Sequence, residues 1–215
     1  MIATDARYET ITVTFTDEER NLIAYHAEQA TLPVGRSKIF HGTQDQLDRR
    51  EFERNENQHT GMACEAAFYK WAAPLGSGDF AAFLANRELR NSDKFTGDKG
   101  IDCILPENLR VDVKGSEPQP GKLLDVYTAL NLHLTHERDK SLEEIRDIIY
   151  VFAVTQRAHG ETCLAPKRVI LSGWLWGREL YGREDKKSLE GWSAKGWSLH
   201  RMHTFPAVAQ PANCA

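Results

Sequence analysis

The chain reads as an α/β fold, a mixed β-sheet flanked by α-helices. Three stretches predict it. GIDCILPENLRVDVKG, residues 100–115, holds two short alternating runs around a turn. YVFAVT, 150–155, is a continuous apolar run of buried-strand type. GMACEAAFYKWAA, 61–73, combines strong helix formers with apolar residues at helical spacing. Helix, hairpin, strand, helix and strands follow one another in the order of a sheet with helical cover.

In chain order, Ile11 to Phe15 alternates like a short strand. Thr16 followed by Asp17, Glu18 and Glu19 is an N-cap with acids in the first turn, opening a helix to about Ala30. Residues 31–60 are polar and weakly patterned, a loop with a partial helix whose charge run DRREFERNEN is a solvated face. A helix over Thr60 to Ala73 stops at Pro74 and the Gly-Ser-Gly of 76–78. The hairpin comes after GDKG, and Leu123 to Tyr127 is a third strand candidate. Ser141 and Glu144 stand at capping-box spacing at the start of a helix over SLEEIRD. After the 150–155 strand, Val169 to Ser172 begins another before GWLWGREL turns into a short helix. The tail is rich in Gly, Trp and Pro, and the echo GWSAKGWS is too brief to be an architectural repeat.

The 215 residues suffice for one sizeable core, read as a single domain over 1–215 with its core at about 60–180, an N-terminal helical extension and a Trp/Gly-rich tail. Hydrophobic residues at 41% and charged residues at 27% argue against disorder. No apolar run is long enough to span a membrane, and MIATDARYET has neither a basic start nor an apolar signal segment, so a cytoplasmic setting is expected. Cys64, Cys103, Cys163 and Cys214 lack CxxC spacing and read as free thiols, three of them packed. The net charge of −4 excludes a broadly basic nucleic-acid binder but not a local groove.

The hairpin holds the chemistry. Val111 and Val113 share one strand face; Arg110, Asp112 and Lys114 share the other. With Pro106, Glu107 and Asn108 as the loop, the strands mirror about position 107, which sets Asp102 opposite Asp112. Opposed residues have Cβ atoms about 4.5–5.5 Å apart, and like charges there are destabilising. Two carboxylates so placed call for a cation: Lys114 is one candidate, and a divalent metal that takes oxygen ligands, such as Mg²⁺, is the stronger. Taken alone, Asp112 and Lys114 are an exposed ion pair worth ~0–1 kcal/mol.

Glu65 in GMACEAAFYKW, Asp102 in GDKGIDC and Asp112-Val113-Lys114 in VDVKG, in this order, resemble the PD-(D/E)XK nuclease superfamily, the restriction-endonuclease-like fold of phage and bacterial members. The resemblance covers about Thr60 to Leu180, with YVFAVTQ and VILSGWLWGREL as the later core strands. Ile101 stands where the superfamily's name has proline. The resemblance implies a metal-dependent nuclease acting on nucleic acid, DNA above all, with room for a homodimer. Asp102, Asp112 and the Val113 carbonyl would bind Mg²⁺, for which Mn²⁺ can substitute, with Glu65 completing the shell directly or through water. Lys114 would position or deprotonate the attacking water. Glu56 is the alternative acid, and Gln156 a further neighbour. The rival reading is a non-catalytic module that keeps the nuclease-like fold to bind DNA or a partner protein.

Other signals are weaker. His133 and His136 lack further ligands at metal-binding spacing. Trp174, Trp176, Trp192 and Trp197 can stack on unpaired bases, but core packing is the commoner use. The GSG near 77 lacks the Lys-Ser/Thr and preceding strand of a P-loop.

Overall fold

The computed structural model describes residues 10–31, 44–92, 101–117, 132–134, 142–156, 165–178, 187–188 and 191–194. The fold is mixed α/β. A five-stranded sheet has the order β1-β6-β5-β3-β2, built from β1 (Ile11–Thr14), β2 (Cys103–Leu105), β3 (Leu109–Ser116), β5 (Ile148–Gln156) and β6 (Arg168–Trp176). Neighbours are antiparallel except β3 and β5, which run parallel from Arg110↔Ile148 to Ser116↔Val154. A second, three-stranded sheet joins β4 (Leu132–Leu134), β8 (Gly191–Ala194) and β7 (Lys187–Ser188).

The first helix, α1 (Asp17–Thr31), starts where the sequence predicts. The Thr16 N–H donates to Glu19 Oε2 at 2.8 Å and the Glu19 N–H to Thr16 Oγ1 at 3.2 Å, a reciprocal capping box. Glu19 also receives Lys70 Nζ at 2.8 Å, which fastens this turn to the next helix.

That helix, α2 (Gln44–Ala72), has 29 residues, far more than the expected Thr60 to Ala73. Gln, Glu, Arg and Leu between 44 and 59 are good helix formers, but the stretch has no apolar period to announce a helix. A third helix, α3 (Phe80–Ser92), was not expected at all. Its start is nevertheless written locally: Asp79 Oδ1 accepts the N–H groups of Ala81 at 3.0 Å and Ala82 at 3.1 Å, an N-cap. Phe80 and Phe83 pack on Phe15 and Tyr69 respectively, with centroids 6.4 and 5.8 Å apart.

The main core lies between these helices and one sheet face. Ile23 and Ala27 of α1, Met62 to Ala72 of α2 and Phe83 of α3 bury Val111, Val113, Val151, Ala153, Val169 and Leu171. The alternate residues of β5, Ile148, Tyr150, Phe152 and Val154, are buried on the other face. Contact between α2 and β3 is close enough to require glycine: a Cβ at Gly115 would sit 2.8 Å from Cys64 Sγ. Cys64 and Cys103 are buried free thiols.

Two further differences concern the later elements. β6 continues through Trp176, so Trp174 and Trp176 are strand residues, where a helix was expected. Opposite Phe152 and Ala153 of β5 the register shifts, leaving Ser172 as the bulged residue of β6, whose hydroxyl donates to the Phe152 carbonyl at 3.0 Å. The helix expected at SLEEIRD is α4 (Leu142–Ile145), a single turn. Ser141 and the strand expected over Leu123 to Tyr127 lie outside the described residues. No helix among the described residues is long and apolar enough to cross a membrane.

A candidate site of acids and arginines at the β2–β3 hairpin

The hairpin keeps the register its loop length predicts: Leu105↔Leu109, Ile104↔Arg110 and Cys103↔Val111. Pro106, Glu107 and Asn108 make the connection, with Glu107 and Asn108 at φ 64° and 62°. At Asp102 the ladder changes. The Asp102 N–H donates to the Val111 carbonyl at 2.8 Å, so Asp102 and Cys103 both face Val111 in the manner of a bulge. The Asp102 carboxylate then takes over the pairing: its Oδ2 accepts the Val113 N–H at 2.7 Å. Asp102 therefore adjoins the Asp112–Val113 peptide through its side chain, where simple continuation of the ladder would have set it opposite Asp112.

Asp112 and Lys114 leave β3 on the face away from α2, because Val111 and Val113 are the residues packed on the helices. Lys114 Nζ lies 2.7 Å from Asp112 Oδ2 and 5.9 Å from the centre of the Tyr150 ring, Tyr150 being the β5 partner of Asp112. Asp112 is only 2% exposed. This is a desolvated pair with an aromatic floor, where the sequence on its own suggests an exposed one.

On the helical side, Asp102 meets two arginines of α3. Arg90 Nη1 is 3.4 Å from Asp102 Oδ1, and its Nη2 donates to the main-chain carbonyls of Ile101 and, at 3.2 Å, Asp102. Arg87 Nη2 lies 3.8 Å from the same Oδ1 and forms an ion pair with Glu65 Oε2. Glu65 is thus connected to Asp102 through Arg87. The expected approach of Glu65 to Asp112 would bring together groups from opposite sheet faces, since α2 covers the Val111 and Val113 side.

Tyr69, one turn after Glu65 on α2, donates from its hydroxyl to the Asp102 carbonyl at 3.1 Å and accepts from Asn86 at 2.6 Å. Burial, helped by the neighbouring Cys103 thiol, raises the Tyr69 phenol well above its ordinary pKa, so it remains a neutral donor. Burial likewise raises the Cys103 thiol.

Three carboxylates, Glu65, Asp102 and Asp112, are matched by three cations, Arg87, Arg90 and Lys114. Among the described residues no three His, Cys, Asp or Glu side chains are grouped to hold a metal. The donor chemistry of Asp102 and Asp112 still suits Mg²⁺, which takes oxygen ligands and keeps several waters, so few carboxylates suffice. A metal here would have to displace cations already in place. Arg87 and Arg90 escape the sequence reading because α3 does, and Tyr69, on the expected helix, because its hydroxyl bond to Asp102 depends on tertiary packing; the Asp79 cap followed by FAAFLANRELR is the signal that could have found the arginines.

The remaining residues lie elsewhere. Glu56 is within α2, and Gln156 ends β5 opposite Arg168. His133 is in β4 opposite Ser193, and Trp192 in β8 opposite Leu134. Trp174 and Trp176 pack edge to face at 6.1 Å, with the Arg178 guanidinium 4.6 Å over Trp176. His136 and Trp197 lie outside the described residues. Comparison with protein-family models, curated proteins and solved structures finds no match to this chain.

Proposed function

We propose that this protein is a metal-dependent nuclease, of restriction-endonuclease-like type, hydrolysing phosphodiester bonds of nucleic acid and DNA in particular. One observation carries the reading. The β2–β3 hairpin joins the Asp102 carboxylate to the Val113 N–H while Asp112 and Lys114 form a desolvated pair on the flanking residues. That is the Asp, Asp-X-Lys set in which the motif's chemistry resides.

Asp102, Asp112 and the Val113 carbonyl would supply the oxygen donors for Mg²⁺ or Mn²⁺; Glu65, paired with Arg87 on the other sheet face, stands outside that set. A bound metal lowers the pKa of water and offsets charge on the phosphate. Lys114 shares the face of Asp112 and is 21% exposed, so its ammonium reaches a water at the surface of the site. There it orients the attacking water by an N–H bond and offsets the charge that gathers on the phosphate oxygens in the transition state.

The exact match of carboxylates to cations favours one second reading, a non-catalytic module that binds DNA or a partner protein with its acids permanently paired. A single experiment separates the two. The protein is incubated with single-stranded, duplex and branched DNA and with RNA, in Mg²⁺, Mn²⁺ or EDTA, beside Asp112→Asn. Cleavage that needs the metal and is lost in Asp112→Asn supports the nuclease; binding without cleavage of any substrate in either metal leaves the module.

A further inference from the structure

The two halves of α3 are attached in different ways. Among the described residues its apolar packing on the core comes from Phe80, Ala82, Phe83 and Leu84, all in the first half. Beyond Leu84 the helix grips through polar groups, and Leu89 there is 67% exposed. Asn86 donates to the Tyr69 hydroxyl, Arg87 pairs with Glu65, and Arg90 pairs with Asp102 while donating to the carbonyls of Ile101 and Asp102.

The segment that Arg90 grips is lightly attached as well. Ile101 and Asp102 lead into β2, a strand of three residues at the edge of the sheet with β3 as its neighbour there. The buried side chain of Cys103 marks where firm packing begins. Tyr69 ties the two segments together, because its hydroxyl accepts from Asn86 and donates to the Asp102 carbonyl. Segments with little buried apolar surface lie at the low-stability end of a fold and open locally while the rest stays closed.

We propose that the second half of α3, residues 85–92, and the start of the hairpin, Ile101 and Asp102, form a lid that opens and closes as one unit on a folded sheet. Closed, it covers two carboxylates, Glu65 with Arg87 and Asp102 with Arg90. Opening uncovers both together. Asp112 and Lys114 stay in place, since β3 remains paired with β5 along its length and the lysine stays over Tyr150. The arrangement described is the closed state, in which each acid is matched by a cation.

The lid leaves a signature inside β3. The Val113 N–H is bonded to the Asp102 carboxylate, so it loses its partner when the lid opens. Asp112 and Lys114 direct their N–H groups the other way, to β5, and keep theirs. Fraying of the end of α3 by itself would leave Val113 untouched.

Amide hydrogen exchange followed residue by residue by NMR tests this on the full chain, with no metal or nucleic acid added. In the wild type, Arg87 to Arg90, Asp102 and Val113 should share one opening free energy, lower than that of Val151 and Ala153 in β5. Arg90→Met should speed exchange at all of these lid positions by about tenfold, as loss of a hydrogen bond to a charged group implies, and leave β5 unchanged. Tyr69→Phe, which keeps the ring and removes the hydroxyl that ties both segments, should speed the same set. Asp102 and Val113 as protected as Val151 in the wild type overturn the proposal. So does a variant that speeds α3 alone, or every element equally. If Arg90→Met does not fold, the wild-type profile and Tyr69→Phe decide by the same criteria. The readout involves no cleavage, so this inference and the nuclease reading stand or fall separately.

Discussion

Asp102 and Val113 are joined by a 2.7 Å hydrogen bond from the Val113 main-chain N–H to Asp102 Oδ2. One side chain thereby closes the sheet ladder at the Asp112–Val113 peptide and also meets Arg90 of α3. The two duties are separable. Asp102→Asn retains an oxygen for the Val113 N–H, while Asp102→Ala leaves that N–H buried and unpaired, at a cost of about 1–3 kcal/mol. Denaturant unfolding should show the larger loss for Asp102→Ala. Both variants should lose cleavage if the carboxylate is a metal ligand, so full activity in Asp102→Asn would leave only the structural duty.

Lys114 touches Asp112, the most deeply buried of the site's three carboxylates. Lys114→Met keeps much of the apolar stem and deletes the charge. Loss of a group positioned at the reacting water typically lowers the rate about 10²–10⁴-fold. Stability should fall as well, by about 1–3 kcal/mol, because Asp112 is left without its cation. Adding Asp112→Asn to Lys114→Met should recover most of the stability and none of the activity. A Lys114→Met protein that cleaves at the wild-type rate would remove the lysine from the mechanism.

Gly115 is where β3 passes closest to α2. An added methyl would meet Cys64 Sγ at 2.8 Å and Cys64 Cβ at 3.2 Å. Gly115→Ala should therefore push the helix off the strand and cost about 1–3 kcal/mol, as overpacking does. Cys64→Ala in the same chain makes room and should return part of the loss, a non-additivity that a double-mutant cycle measures.

His26 lies buried on α1, and burial lowers its pKa from the ordinary 6.5, with Arg87 adding to the fall and Glu88 opposing it. In the unfolded chain it takes up a proton near 6.5; in the folded protein it does so only at lower pH. Between those two values the unfolded state binds more protons, so stability drops as the pH falls. Thermal melts from pH 8 to 5 should show this decline beginning near 6.5, and His26→Leu should flatten it. An identical slope in the variant would assign the decline to other groups.

The hairpin was determined by sequence alone. Its loop length, the turn residues Pro106 to Asn108 and the two-residue alternation of VDVKG lie within a few positions of one another, so local geometry sets Cys103 against Val111. The N-cap at Thr16 and the buried strand at 150–155 were legible for the same reason. Tertiary structure decided the rest. The polar first half of α2 shows no period of its own, and α3 was obscured by the glycines before it and the GDKG after it. The order β1-β6-β5-β3-β2, with β3 parallel to β5, depends on which apolar faces find each other across the chain. The partners of the acids depend on it too. Sequence places Glu65, Asp102 and Asp112 on their elements, but only the docking of α3 on α2 brings Arg87 between Glu65 and Asp102. Only the burial of Val111 and Val113 under α2 turns Asp112 to the other face, because a strand side chain has no choice but to oppose its neighbours.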